Sequence, residues 1–234
     1  MDARRMKPLV SALDMGYRYR PYEMLRYFLS GLRTLWGLPE LDTVPEDASD
    51  AVVAGIEAYS ELVSRSVPFE DILGPMYMEL ASHGSRQGLA QFFTPFPVAS
   101  MMARMSMGDL EAHDGGLIRV CDPACGSGVM LLAFLNAAWT DYGPSMLQRI
   151  SVTGVDLDVI CAHMTAVQLI ANCNVHSLKL GELLVLRGNS LMPWEGMQVV
   201  AHGTATADIV VAPPLSPERL AALAEAAAVT PGLV

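Results

Sequence analysis

At 234 residues the chain has room for one α/β domain with additions, or for two small domains. Just over half of it is hydrophobic and only 17% is charged, which excludes a disordered polymer. Acidic residues outnumber basic ones 25 to 15, so a nucleic-acid clamp working through net charge alone is excluded as well.

The first 33 residues run against that balance. They hold Arg4, Arg5, Lys7, Arg18, Arg20, Arg26 and Arg33 against Asp2, Asp14 and Glu23, and such a segment either touches nucleic acid or neutralises the acidic body. Arg4, Arg5 and Lys7 resemble the start of a signal peptide, but the apolar run Pro8 to Ala12 is too short to continue one. Pro21 to Trp36 carries Leu25, Phe28, Leu29, Leu32, Leu35 and Trp36 at a helical period. A polar, acidic connection, Gly37 to Asp50, leads to a second helix that Asp47 or Asp50 can cap, with Val52, Val53, Ile56, Tyr59, Leu62 and Val63 inward. A third helix is expected from Phe69 to about His83. Residues 1–86 therefore read as a helical region without strands.

Thr94 before Pro95 reads as an N-cap followed by proline at the first helical position. The helix runs to about Met107, with Met101, Met102, Met105 and Met107 expected as flexible core filler. After a loop, Gly108 to Gly116, strands and helices alternate. Strands are expected at Leu117–Cys121, Ile150–Val155, Leu183–Leu186 and Ala207–Val211, with helices at Val129–Thr140, Val159–Leu178 and Pro217–Ala228. That alternation predicts an α/β fold with a mostly parallel sheet in residues 87–234. The longest apolar stretch, Val129 to Trp139, falls well short of the ~20 residues of a membrane span. Cys121, Cys125, Cys161 and Cys173 show no secreted-type framework, so no membrane and a cytoplasmic setting are expected. Cys161 and Cys173 lie about 18 Å apart along one helix, too far to share an ion, and no metal is expected; His163 and His176 are read as partly exposed.

The strand ends carry the chemistry. In open parallel sheets ligands sit beyond the carboxyl ends of the strands. Asp122-Pro-Ala-Cys-Gly-Ser-Gly128 supplies a carboxylate and a loop whose Gly126 and Gly128 permit a tight turn and close backbone approach. It is neither a phosphate loop nor Gly-x-Gly-x-x-Gly, since Leu131 stands at the third glycine position. Asp156, ending the second strand, can accept both hydroxyls of a ribose. The implied ligand has a ribose, an amine and no phosphate.

These residues resemble the cofactor loop of gamma-type S-adenosylmethionine-dependent DNA adenine-N6 methyltransferases, above all the modification subunits of type I restriction systems. Ala90-Gln91-Phe92-Phe93-Thr94-Pro95, Gly154-Val155-Asp156-Leu157-Asp158 and Gly188-Asn189-Ser190-Leu191 are similar to further family segments, in family order over about residues 87–215. The resemblance implies a class I methyltransferase, Rossmann-like sheet with S-adenosylmethionine as cofactor. It implies that Phe92, Phe93 and Thr94 line the methionine end, and that Asp122, Ala124, Gly126 and Gly128 hold the amine and the turn. Asp156 would take the ribose, Leu157 would pack on the adenine, and Asn189 would meet its exocyclic amine.

The family's catalytic segment is Asn/Asp-Pro-Pro followed by an aromatic residue, and this chain has Ala212-Pro213-Pro214-Leu215. The prolines keep the loop's shape while the hydrogen-bonding and stacking side chains are gone, so a chain weakly active or inactive on its own is expected. The alternatives are an active DNA adenine-N6 methyltransferase of the modification-subunit kind, alone or with a partner chain, and a non-enzymatic interaction or regulatory module of a restriction-modification or mobile-element system. With 19 residues after Leu215, the sheet is expected to be incomplete on that side. Its open edge would be covered by the N-terminal helices, a second copy or another subunit, with DNA reached through such a partner.

Overall fold

The computed structural model describes residues 3–83, 92–113 and 115–204. The expected strand Ala207–Val211, the segment Ala212–Leu215 and the expected last helix lie outside the described residues. Helices α1 (Ala3–Ala12), α2 (Pro21–Leu35), α3 (Ser49–Ser64), α4 (Leu73–His83) and α5 (Phe96–Met107) come first. Then follow β1 (Ile118–Asp122), α6 (Val129–Tyr142), α7 (Pro144–Leu147), β2 (Ile150–Asp156), α8 (Val159–Val175), β3 (Glu182–Arg187) and β4 (Gln198–Thr204).

The sheet order is β1-β2-β3-β4, with β1, β2 and β3 parallel and β4 antiparallel to β3. Two successive crossovers that advance in one direction with the usual right hand must place both helices on one face. Accordingly, α6 and α8 pack on the face bearing Ile150, Val152, Leu183 and Val185, which form the main core with them. Both helices are apolar almost all round, as helices covered on every side are. The opposite face carries a small apolar cluster of Val155, Leu184 and Leu186 with Met197 and Val199. Beside it is a buried polar group, in which Glu182 accepts from Ser151 Oγ and meets His202 Nε2, both at 3.0 Å.

β4 corrects the sequence-based expectation, which had no strand at Gln198–Thr204. Val185 pairs with Ala201 and Leu186 with Val199, so Val200 is bulged and the period-2 pattern is broken. Arg33, buried near the end of α2, donates to the Val200 carbonyl at 3.2 Å and to the Pro39 carbonyl at 2.9 Å. Its burial lowers its pKa to about 10. The N-terminal helices thus reach β4 at this bulge.

Three of the seven basic residues in the first 33 are neutralised from within. Arg5 pairs with Glu70, Arg18 with Asp47 and Arg26 with Asp42. This favours the neutralising role over nucleic-acid contact for these residues. Asp47, tied to Arg18 and Tyr19, is not the cap of α3, and neither is Asp50; a 3-10 turn, Glu46–Ala48, leads in instead.

The helix expected from Phe69 begins four residues later. Phe69 has φ 64, a left-handed conformation costly for an aromatic residue, yet its side chain is fully buried in the main core. Three side chains hold this stretch by its backbone. Asn136 donates to the Pro68 carbonyl at 2.8 Å, and Asn172 accepts from the Phe69 amide at 2.5 Å. Gln168 accepts from the Ile72 and Leu73 amides at 2.8 and 3.0 Å. Asp71, two residues before α4, accepts from Gly74 N at 2.9 Å and caps the helix. Ile72, Leu73 and Met76 then join α1–α3 and the α8 residues Ile160, Met164 and Val167 in a second core. Helical region and sheet share α8.

The methionines of α5 are not core filler. Ala99 and Ala103 face inward, while Val98, Met101, Met102 and Met105 form an exposed stripe; only Met107 packs partly against the core. His163 is likewise buried, not partly exposed, and burial lowers its pKa to about 3, which keeps it neutral. Among the described residues no three potential metal ligands lie together, and no helix is long and apolar enough to cross a membrane.

Substituting Asn172→Leu leaves the buried Phe69 amide without its acceptor. Urea unfolding is expected to show a loss of about 1–3 kcal/mol; unchanged stability would mean that Asn172 does not hold the turn.

Candidate cofactor site

Four of the five sequence segments meet at the carboxyl ends of β1, β2 and β3. β1 delivers Asp122, whose Oδ1 accepts from Ala124 N at 3.1 Å and fixes the first turn of the loop. Gly126 and Gly128 take φ 55 and φ 90, so both turns depend on glycine. Cys125 N donates to the Val155 carbonyl at 2.9 Å, which holds the loop against β2. β2 delivers Asp156, whose Oδ2 accepts from Gly126 N and Oδ1 from Asp158 N, both at 2.8 Å. Each of these oxygens keeps acceptor capacity for a ligand hydroxyl. The third segment joins through Gly188 N, which donates to the Asp156 carbonyl at 2.9 Å.

The electrostatics point to a cation. Burial raises the pKa of Asp122, the hydrogen bond from Ala124 lowers it, and the nearby Asp156 carboxylate raises it again. Two like charges at one mouth, with no basic partner bonded to either among the described residues, are relieved by a positively charged ligand. Gly128 is the N-cap of helix α6, and no side chain caps that helix start, the kind of terminus that suits an anionic group. Cys125 is not a nucleophile here, because burial pushes its thiol pKa up to about 12.

Phe93 leans on the loop, and a Cβ on Gly126 would lie 3.0 Å from its ring. That ring also meets Tyr77 of α4, with centroids 5.2 Å apart. Phe92 is 84% exposed and Leu157 is 69% exposed, both large apolar side chains without protein cover. Ala124 is exposed and Thr94 half-buried. Pro95, not Thr94, is the N-cap of α5, and no side chain caps that helix. The proline at N2 is Pro97, so the helix starts later than the Thr-Pro pair suggests. Asn189 is exposed, and its Oδ1 accepts from Leu191 N at 3.0 Å, a turn role beside which its amide NH₂ stays available. The fifth segment, Ala212, Pro213, Pro214 and Leu215, lies outside the described residues.

Beneath the loop runs a polar seam on α8 that sequence reasoning did not single out. Thr165, Gln168 and Asn172 follow the i, i+3, i+7 spacing of one helix face. Thr165 Oγ1 donates to the Gly126 carbonyl at 3.0 Å, and Gln168 Nε2 donates to the Ser127 carbonyl at 2.8 Å. Gln168 Nε2 also reaches Asp71 Oδ1 at 2.7 Å, and Ser127 Oγ donates to Asp71 Oδ2 at 3.2 Å. Burial raises the pKa of Asp71, opposed by its bonds from Gln168, Gly74 and Ser127. The available signal was three polar residues at helical spacing within a buried, otherwise apolar run.

Comparison with known proteins matches this arrangement to one family. The model of the family described as N-6 DNA Methylase covers residues 69–220, starting at the strained Phe69. The chain belongs to this N-6 DNA methylase family. A solved structure from Listeria monocytogenes, described as a "putative class i s-adenosylmethionine-dependent methyltransferase", is similar at 13% identity with a TM-score of 0.49. The match covers 82% of this chain and 55% of that one, so the chain spans about half of that protein's length.

The substitution Gly126→Ala forces a side chain into the left-handed region and against the Phe93 ring. A loss of about 1–2 kcal/mol is expected in thermal unfolding, and an unchanged midpoint would show that the loop turns otherwise.

Proposed function

We propose that this N-6 DNA methylase family member binds S-adenosylmethionine across the carboxyl ends of β1 and β2, and that it transfers methyl to adenine N6 weakly or not at all on its own. The observation that carries the binding half is the convergence of Asp122 and Asp156 on the Gly126–Gly128 loop at an uncapped helix start. Asp122 suits the methionine amine, Asp156 the ribose hydroxyls, and the first amides of α6 the carboxylate. Leu157 offers apolar cover to an adenine, and the Phe93 ring closes one side of the loop.

When bound, the cofactor supplies an electrophilic methyl group on a sulfonium sulfur. The chain's own task is to hold a flipped adenine so that its amine presents a lone pair. The sequence argues that it does this poorly. Ala212 cannot accept a hydrogen bond from the amine, and Leu215 has no π-face for the base. One missing positioning bond costs about 2.7–4 kcal/mol of barrier, or ~10²–10³ in rate. Lost stacking adds about 1–3 kcal/mol. Pro213 and Pro214, the two prolines of the family segment, are kept in the sequence. A second reading, a non-enzymatic module that docks on another protein, draws on the exposed Val98, Met101, Met102 and Met105 stripe.

Titration of S-adenosylmethionine by calorimetry should give measurable heat, and tritium transfer to adenine-rich DNA should be at or near background. No heat would overturn the binding half. Adenine methylation by the unaltered chain alone would overturn the inactivity. If the two side chains are limiting, Ala212→Asn combined with Leu215→Tyr raises transfer by ~10²-fold or more.

The raised pKa of Asp122 sets a pH dependence. The fold binds the Asp122 proton more tightly than the unfolded chain does, so this group's contribution to stability is full below the ordinary carboxylate pKa and is lost as pH rises through the raised value. A cationic ligand selects the ionised form. Affinity is therefore highest above that pKa and falls as pH is lowered through it. The substitution Asp122→Asn removes the repulsion with Asp156, and is expected to raise the thermal midpoint of the free protein while weakening the cofactor about 10–100-fold. Equal affinity in the variant would remove Asp122 from the site.

A further inference from the structure

Asp71 lies on the helical side of the molecule, 51 residues before Asp122, and is almost completely buried. Its carboxylate nonetheless ends against the cofactor loop. Oδ1 takes the Gly74 amide and Gln168 Nε2, and Oδ2 takes the Ser127 hydroxyl. Ser127 is fully buried as well, so its hydroxyl faces away from the ligand side and inward to α4. The fit is close enough to exclude a side chain at Gly74, where a Cβ would collide with the Asp71 carboxylate and lie 2.8 Å from Ser127 Oγ. The same Gln168 amide that binds Asp71 also binds the Ser127 carbonyl, giving the loop two attachments to one buried hub. The Tyr77–Phe93 ring contact joins α4 to the loop a second time, from the outside.

The geometry points to Asp71 as a positioning residue: through Ser127 and Gln168 it transmits the docking of helix α4 to the cofactor loop, so that cofactor binding and docking of the helical region are coupled. This deepens the proposed function and rests on it for the identity of the ligand. Asp71 and Ser127 touch no substrate; they act by fixing where the amides of residues 126–128 point. When α4 shifts, the loop loses the hydroxyl and carbonyl bonds that hold it, and any group gripped by the loop is held less tightly. By linkage, a group gripped by the loop tightens the docking of α4 to the same degree.

The chemistry distinguishes hydrogen bonding from charge. In Asp71→Asn, the remaining oxygen can still accept from Gly74 N and Gln168 Nε2, and the new NH₂ can donate to Ser127 Oγ. Every bond is retained with one polarity reversed. Asp71→Ala loses all of them, and Ser127→Ala loses only the bond to the loop. The experiment uses the full chain with two readouts. Hydrogen exchange without ligand follows the amides of Cys125, Gly126 and Gly128, which are bonded in the structure. Calorimetry with S-adenosylmethionine gives the affinity.

Asp71→Ala and Ser127→Ala are each expected to speed exchange of those amides and to weaken the cofactor about 10-fold. Amides in the body of α8 should stay protected, and Asp71→Asn should remain close to the parent in both readouts. The double variant Asp71→Ala, Ser127→Ala should be no weaker than Asp71→Ala alone, because both remove one connection. Loop exchange unchanged in folded Ser127→Ala overturns the proposal, as does a fully additive double variant. If Asp71→Ala does not fold, Ser127→Ala and Asp71→Asn carry the test. If the parent chain gives no heat with S-adenosylmethionine, the cofactor reading fails, and hydrogen exchange alone decides the positioning role.

Discussion

Everything in this molecule that concerns the site depends on one buried helix that is not wholly apolar. Helix α8 is enclosed by the sheet on one side and the N-terminal helices on the other, and its face carries Thr165, Gln168 and Asn172 out of water. Buried polar groups are tolerable only when bonded, and a partner lost in such a network costs about 1–3 kcal/mol. The three side chains find their partners in two places at once: the backbone of the cofactor loop and the backbone of Phe69–Leu73. An apolar helix could slide by a fraction of a turn with little penalty. This one has a single register in which all its amides and carbonyls are met, and that register fixes the loop relative to the helical region.

The same logic explains why a strained residue persists at the junction. Phe69 carries a left-handed backbone that costs on the order of 1–3 kcal/mol. Against this stand the bonds from Asn136 and Asn172 to the turn and the complete burial of an aromatic ring, worth about 1.5–3 kcal/mol by area alone. The turn sends the ring into the main core while the next residues, Ile72 and Leu73, enter the second. One tight reversal thereby stitches two cores together. The family match starts at Phe69.

The sequence made the sheet legible where strand and ligand chemistry coincide. Asp122, Gly126, Gly128 and Asp156 stand at strand ends whose apolar runs are short and bounded by glycine and proline, and the structure brings them together as expected. Other elements were hidden for identifiable reasons. β4 has a bulge at Val200, so its apolar residues run consecutively and do not alternate. The α5 methionines look like core by hydrophobicity, but Ala99 and Ala103 are the residues small enough to sit against α6, which turns the larger side chains outward. Asp71 was invisible because an aspartate ahead of a helix has an ordinary role as a cap, and it does perform that role. Its second bond, to Ser127, joins residues 56 positions apart, which no local pattern can encode.

A loop that positions a cofactor and a segment that positions a substrate fail in different ways when residues are lost. The cofactor loop acts mainly through backbone amides and carbonyls, so its geometry survives as long as its glycines, its two carboxylates and the seam beneath it survive. All of these are present. In the proposed function a substrate segment works through one polar side chain and one ring. Ala212 and Leu215, under that proposal, offer neither a hydrogen-bonding side chain nor a ring at those two positions. Binding a small cation and orienting a base are therefore separable under the proposed function. Under the same proposal, the carboxylates kept at the strand ends, despite the repulsion they create without a ligand, are the costly part of the first function. That asymmetry is the strongest physical reason to look for a bound cofactor in this protein before looking for methyl transfer.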